Sequence, residues 1–354
     1  MLQGEVIMSM DSLKRHIHFS DALSDDPNKD KMRKDFYSNT LAHIINESLF
    51  LFNDDYYTAD IEAVQYDMIN IEYCIDLYPT VNASVDIYHN WIILYLFTIV
   101  AANNMTILTE LLDILSQSEY TTNEEIIKKA LEWANSYDNM SWIDKYIRDY
   151  SAQKEIALTV EKTKIYANWN PDVFQDHKYS YYSYDIFKLI FLHELGHWQY
   201  ARFTKEMKFA YDKQAYDILL RYYPKEYISD NKKIFNAWVE EIVADYIALL
   251  VYTKNSQQQN SNKQCTKQCY IAIGLYYGLI AMEELGSGLY KKVSNSHPPV
   301  KIRQEVAQKL YANFFSDILG IPYDTFINIE IQEWYVIQLY FTVIIEEYWR
   351  KNNG

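Results

Sequence analysis

Apolar residues recur at three- and four-residue intervals over most of this chain, the spacing of amphipathic helices. It predicts helices over 40–52, 61–77 and 84–115. Thr122-Asn123-Glu124-Glu125 is a capping-box pattern that opens a further helix through Trp133, and another begins at Trp142. Helical periodicity returns at Ile186, Leu189, Ile190, Leu192, Trp198, Tyr200 and Phe203, again over 238–248 and 270–285, and finally over 334–349. Breakers are scarce: eight Gly and seven Pro in 354 residues are too few for a many-stranded β protein. Residues 21–34 read as a charged, mobile start, and 253–267, rich in Gln, Asn and Ser, as a solvated loop. Residues 157–169 fit a helix or a strand, and Asn168-Trp169-Asn170-Pro171 a turn. The fold class expected is mainly α (α+β).

Composition narrows the setting. Hydrophobic residues make up 49% of the chain, with 34 Tyr, enough for a sizeable core in one domain or two. Three Cys make no disulfide framework; Cys74 reads as core, and Cys265 with Cys269 as a chance pair. A net charge of −15 argues against binding a phosphate backbone or an anionic lipid surface. The first eight residues lack the basic and apolar regions of a secretory signal. The longest apolar runs, 91–102 and 270–282, fall short of the ~20 residues that span a bilayer. The expectation is a cytoplasmic protein with no membrane span, whose partner is a protein or peptide rather than nucleic acid.

The chemistry concentrates at His193-Glu194-Leu195-Gly196-His197. Positions i and i+4 share one helix face, so both imidazoles can aim at a single ion. Glu194 would then flank the metal, the place for a general base acting on water. Two His on a helix can equally be packed or solvated, so the pentapeptide alone leaves both readings open. Downstream, Glu241 and Asp245 stand at i,i+4 among Ile242, Val243, Ala244, Ile247 and Ala248. Glu241 is placed to be a third ligand, and Asp245 to accept the other ring N–H of His193. Such acids often line a solvated face. Apolar neighbours favour burial instead, and buried carboxylates need a cation. His16, His18, His43 and His89 are scattered and read as satisfied or exposed.

Together these residues resemble the gluzincin pattern H-E-x-x-H…E-x-x-A-D-x-x-A of the CAAX-prenyl-protease and HtpX group. Ser296-His297-Pro298-Pro299-Val300-Lys301-Ile302-Arg303 is similar to the S/T-H-P-x-x-x-x-R segment that follows in that group. The three motifs lie within 185–303; the rest of the chain matches nothing in the pattern. Many members are membrane or exported proteins, so the soluble Lit-type phage-exclusion and ImmA-type peptidases are the better comparison. The resemblance implies a zincin-like core with a small sheet at 157–169, whose edge strand pairs with substrate backbone. It also implies Zn²⁺ on His193, His197 and Glu241, Glu194 as base, Asp245 behind His193, and His297 near the cleft as an oxyanion donor or a junction cap. The organisation expected is an N-terminal helical region over 1–155, for scaffolding or recognition, and a peptidase domain over 156–354. The function expected is a zinc endopeptidase, regulated or of phage-defence or toxin type, the alternative being a catalytically silent zinc-binding scaffold.

Overall fold

The computed structural model describes residues 9–20, 22–51, 70–76, 83–95, 123–135, 180–259, 263–286, 294, 296–319 and 343–352. Within them the chain is predominantly helical with one small mixed sheet. Helix α1 (Met10–Lys14) is capped by Ser9, whose hydroxyl accepts from the Ser12 amide at 3.2 Å. Strand β1 (Ile17–Phe19) and helix α2 (Pro27–Leu51) follow. Next come β2 (Glu72–Asp76), β3 (Ala83–Asp86), β4 (Trp91–Tyr95) and α3 (Asn123–Asn135). The C-terminal half contributes α4 (Ser180–Arg202), α5 (Lys205–Leu219), α6 (Lys225–Asp230), α7 (Lys232–Gln259), α8 (Lys263–Gly286) and α9 (Val300–Leu319). Residues 343–352 are also helical. None of the described helices is long and apolar enough to cross a membrane.

The sheet has the order β1-β2-β4-β3. β1 runs parallel to β2 and β2 to β4, and β3 closes against β4 as an antiparallel hairpin. Strand side chains alternate between faces. One face carries Ile17, Tyr73, Ile75, Ile92 and Leu94 into the core, and the other carries His18, Glu72, Cys74 and the 40% exposed Trp91. Glu72 bridges two imidazoles, at 2.9 Å from His16 Nδ1 and 2.6 Å from His18 Nε2. The hairpin turn is built from side chains. Asp86 Oδ1 accepts the amides of Tyr88 and His89, both at 3.0 Å, and Asn90 takes the left-handed conformation at φ 59°.

Several expectations are corrected here. Within 61–77 and 84–115, residues 72–76, 84–86 and 91–95 are strands rather than helix, because Tyr73/Ile75 and Ile92/Leu94 alternate with period two over stretches too short to stand out against neighbouring apolar residues. The N-terminal region is therefore not all helical: the described sheet lies there, while 157–169 and 168–171 fall outside the described residues. The start at 21–34 is not mobile throughout, since α2 opens at Pro27, with Asp26 Oδ1 accepting the Asn28 amide at 2.9 Å. The solvated loop at 253–267 shrinks: α7 runs to Gln259 and α8 starts at Lys263. Cys74 is half-buried on the outer sheet face rather than in the core.

One hydrophobic cluster joins the inward sheet face, α2, α4, α7, α8 and α9. The hairpin is tied to α4 at Asn90, whose Oδ1 accepts Trp198 Nε1 at 2.5 Å and Arg202 at 3.3 Å. Segments on either side of residue 155 thus share a core, with β3 and β4 packed on α4.

Candidate metal centre

The most extensive interface between described elements is that of α4 with α7. Its closest approach explains the one glycine in the middle of α4. A Cβ on Gly196 would stand 2.7 Å from the Ala244 carbonyl oxygen and 3.0 Å from its Cα. Glycine costs a helix interior roughly 1 kcal/mol relative to alanine, and here it lets two backbones touch. That contact sets His193 and His197 of α4 against Glu241 and Asp245 of α7. Gly196→Ala is expected to force the helices apart, lowering stability by about 1–3 kcal/mol and weakening any metal affinity of the His193, His197 and Glu241 group together. Thermal melts with and without zinc check both.

Three donors converge. His193 Nε2 and His197 Nε2 lie 3.1 Å apart; Glu241 Oε2 lies 3.4 Å from the first and Oε1 3.4 Å from the second. All three ligand atoms fall within 4.8 Å of one another. Around a tetrahedral zinc with ligands at about 2.0–2.1 Å, neighbouring donors stand about 3.3 Å apart. The imidazole pair, and each imidazole with its nearer Glu241 oxygen, are spaced close to that edge length, and a tetrahedral ion held by these three side chains would keep one position for water or substrate. Among the described residues Glu241 Oε2 is buried with no hydrogen-bond partner, as an oxygen meant for a cation would be.

The charges point the same way. Glu194, Asp245 and Arg303 are buried and Glu241 nearly so, which sets three carboxylates against one guanidinium. A divalent cation would restore neutrality. Without one, the cluster draws protons. Burial pushes His193 down and Arg303 adds to that, yet Asp245 and Glu241 hold it above the ordinary imidazole value. Burial likewise opposes charge on His197, but Glu240 and Glu241 raise it to about 10. Burial lifts Glu194 above the usual carboxylate range. Burial also works to raise Glu241, but the two imidazoles beside it hold it well below.

Behind each imidazole stands a carboxylate. Asp245 Oδ1 lies 2.9 Å from His193 Nδ1, and Glu240 Oε1 lies 3.6 Å from His197 Nδ1. Asp245 is wholly buried and is engaged by Arg303 through Nε on Oδ2 and a terminal nitrogen on Oδ1 at 2.8 Å. Burial would raise the Asp245 carboxyl, but Arg303 and His193 bring it down to about 2. Glu240, half-exposed, stands at ion-pair rather than hydrogen-bond distance from His197. Glu240→Ala is expected to weaken the affinity of the site for a divalent metal ion by up to about tenfold, the low end of what such supporting contacts contribute. Chelator competition measures this, and Glu241→Ala, removing a ligand, is expected to do far more.

The third motif arrives on α9. Trp238 of α7 donates to the Ser294 carbonyl at 3.0 Å, and Glu284 at the end of α8 accepts the Val300 amide at 3.2 Å. Between these anchors His297 sits half-buried at the loop-to-helix junction, with Pro298 and Pro299 leading into α9. Its Nε2 lies 3.6 Å from Glu241 Oε1, and its Nδ1 2.8 Å from the Ser296 hydroxyl. Burial lowers its pKa, so the ring is neutral at neutral pH. If Ser296 donates to Nδ1, the proton on the ring is at Nε2, facing the centre.

All six residues singled out in the sequence for the site, His193, Glu194, His197, Glu241, Asp245 and His297, meet at this one place. Arg303 was visible as part of a motif but without a role. Tyr276 of α8 had no sequence signal: it is one Tyr of 34, in an apolar helix. Comparison of the chain with protein-family models, with curated proteins and with solved structures found no match. The functional reading therefore rests on the donors, charges and supporting contacts of the centre itself.

Proposed function

We propose that this chain is a zinc-dependent endopeptidase of gluzincin type. The observation that carries the proposal is the buried triangle of His193, His197 and Glu241 with an acid, Glu194, beside it on the same helix. Two imidazoles and one carboxylate with a position left open is a donor set of catalytic zinc. Bound there, Zn²⁺ supplies Lewis acidity that acidifies water and polarises a carbonyl.

The chain's own groups do the rest. Glu194, held above the usual carboxylate range by burial, takes a proton from water at its carboxylate and passes it to the leaving amine. His297, neutral and backed by Ser296, donates from Nε2 to the developing oxyanion. Asp245 holds the His193 ring. Among the described strands β3 is a sheet edge, and in this reading its outer side takes substrate backbone in extended form. The zincin-like core is then α4 and α7 with the sheet contributed by the N-terminal part of the chain.

The test is zinc stoichiometry of the purified chain, followed by cleavage of a proteome-derived peptide library before and after chelation. Cleavage that stops on chelation and returns with zinc supports the reading. Zinc retained with no peptide cleaved, even when cell lysate is added as a source of activators, assigns the centre to a silent scaffold.

A further inference from the structure

We infer that Asn90 is a positioning residue for peptide substrate, fixing the edge strand β3 to the metal helix α4. The inference rests on the endopeptidase reading above and deepens it. Asn90 closes the hairpin of β3 and β4 in the left-handed conformation, at φ 59°. Glycine meets that backbone demand without strain. The amide explains why an asparagine stands there, because both of its ends are engaged. Oδ1 accepts Trp198 Nε1 at 2.5 Å and an Arg202 terminal nitrogen at 3.3 Å, while Nδ2 donates to the Asn70 carbonyl at 2.9 Å. The Asn90 backbone carbonyl accepts the Glu72 amide at 3.0 Å.

The bond to Trp198 joins residues 108 apart in the chain. Trp198 directly follows the metal donor His197 on α4 and is wholly buried. Arg202, one turn on, stacks over that indole at 3.6 Å and donates to the Trp198 carbonyl at 3.1 Å, which closes the clamp from the other side. On the sheet side Asn90 leads straight into Trp91, the partner of Asp86 in β3. Among the described strands β3 has β4 as its one neighbour, so its height above α4 is set by packing and by this turn. A substrate strand added to β3 inherits that height. Its scissile carbonyl reaches the donors only if the outer edge of β3 lies at the right distance from α4. Releasing Asn90 lets the edge drift. Substrate pairing then weakens, while Glu194 and the three donors stay where they are.

Asn90→Gly keeps the turn and deletes the clamp. On a peptide that the wild-type full chain cleaves, it is expected to raise KM about tenfold with kcat within about twofold, the signature of lost substrate binding and the size of one or two hydrogen bonds. Zinc affinity, measured by chelator competition, is expected to stay within about twofold, since all three donors lie on α4 and α7. Asn90→Asp keeps an acceptor for Trp198 and Arg202 in a residue that tolerates the left-handed turn, and is expected to bring KM back to within about threefold of wild type. Trp198→Phe removes the same bond from the helix side with the turn intact. It is expected to raise KM as well, and to add nothing when combined with Asn90→Gly. An unchanged KM in Asn90→Gly, a parallel fall in kcat or zinc affinity, an Asn90→Asp protein as impaired as Asn90→Gly, or additive losses in the double variant overturns the inference. A wild-type chain that cleaves no peptide removes the endopeptidase reading and the substrate role of the clamp with it, whereas a cleaving wild type with an unaffected Asn90→Gly removes only the clamp.

Discussion

Glu194→Gln is expected to bind zinc at wild-type stoichiometry and to fold as well as wild type, while peptide hydrolysis falls by about 10²-fold or more. The side chain is 5% exposed, and glutamine fills the same volume. What the amide lacks is a carboxylate to accept a proton. The substitution does not touch the donor triangle, and it removes a carboxylate whose burial cost outweighs its attraction to His193 and His197, so melting temperature is expected to hold or rise. The check is kcat on a peptide that wild type cleaves, with zinc measured on the same preparations. Turnover comparable to wild type would take Glu194 out of the mechanism. A parallel loss of zinc would make it a ligand instead of a base.

The parts of the centre that were legible in the sequence are those that local geometry dictates. His193/His197 and Glu241/Asp245 are i,i+4 pairs, and helical periodicity alone puts each pair on one face. What joins the pairs is the backbone contact of Gly196 with Ala244, across α5 and α6, and nothing in the spacing of the two motifs specifies it. Tyr276 was illegible for a different reason: it is one Tyr of 34, and only the assembled fold brings its hydroxyl to 3.1 Å from Asp245 and 3.0 Å from Arg303. The hairpin escaped notice because its turn is closed by the Asp86 side chain and a left-handed Asn90, so a survey of Gly and Pro finds no break there. The helix at Pro27 was legible after all, as Asp before Pro at a first helical position, but the charged residues around it read as solvated chain.

Asp245→Ala is expected to lower zinc affinity by about 10–100-fold and, separately, to destabilise the metal-free fold by about 3–5 kcal/mol. The two losses have different origins. Affinity falls because His193 loses the acceptor that fixes its ring. Stability falls because Arg303, buried in the same pocket, loses its main counter-charge, and an unpaired buried guanidinium is costly. The ion pair also predicts acid sensitivity. With its carboxyl brought from 3.8 down to about 2, Asp245 contributes stability above pH ~4. That contribution, about 2 kcal/mol, is lost as pH falls toward 2, and the Asp245→Ala protein should lack this part of the acid transition. Removing both charges separates the effects. Asp245→Leu with Arg303→Met is expected to recover most of the lost stability, because apolar packing substitutes well for a buried pair, while zinc affinity stays low. Recovery of zinc binding in the double variant would mean that Asp245 matters only as the partner of Arg303 and has no hold on His193.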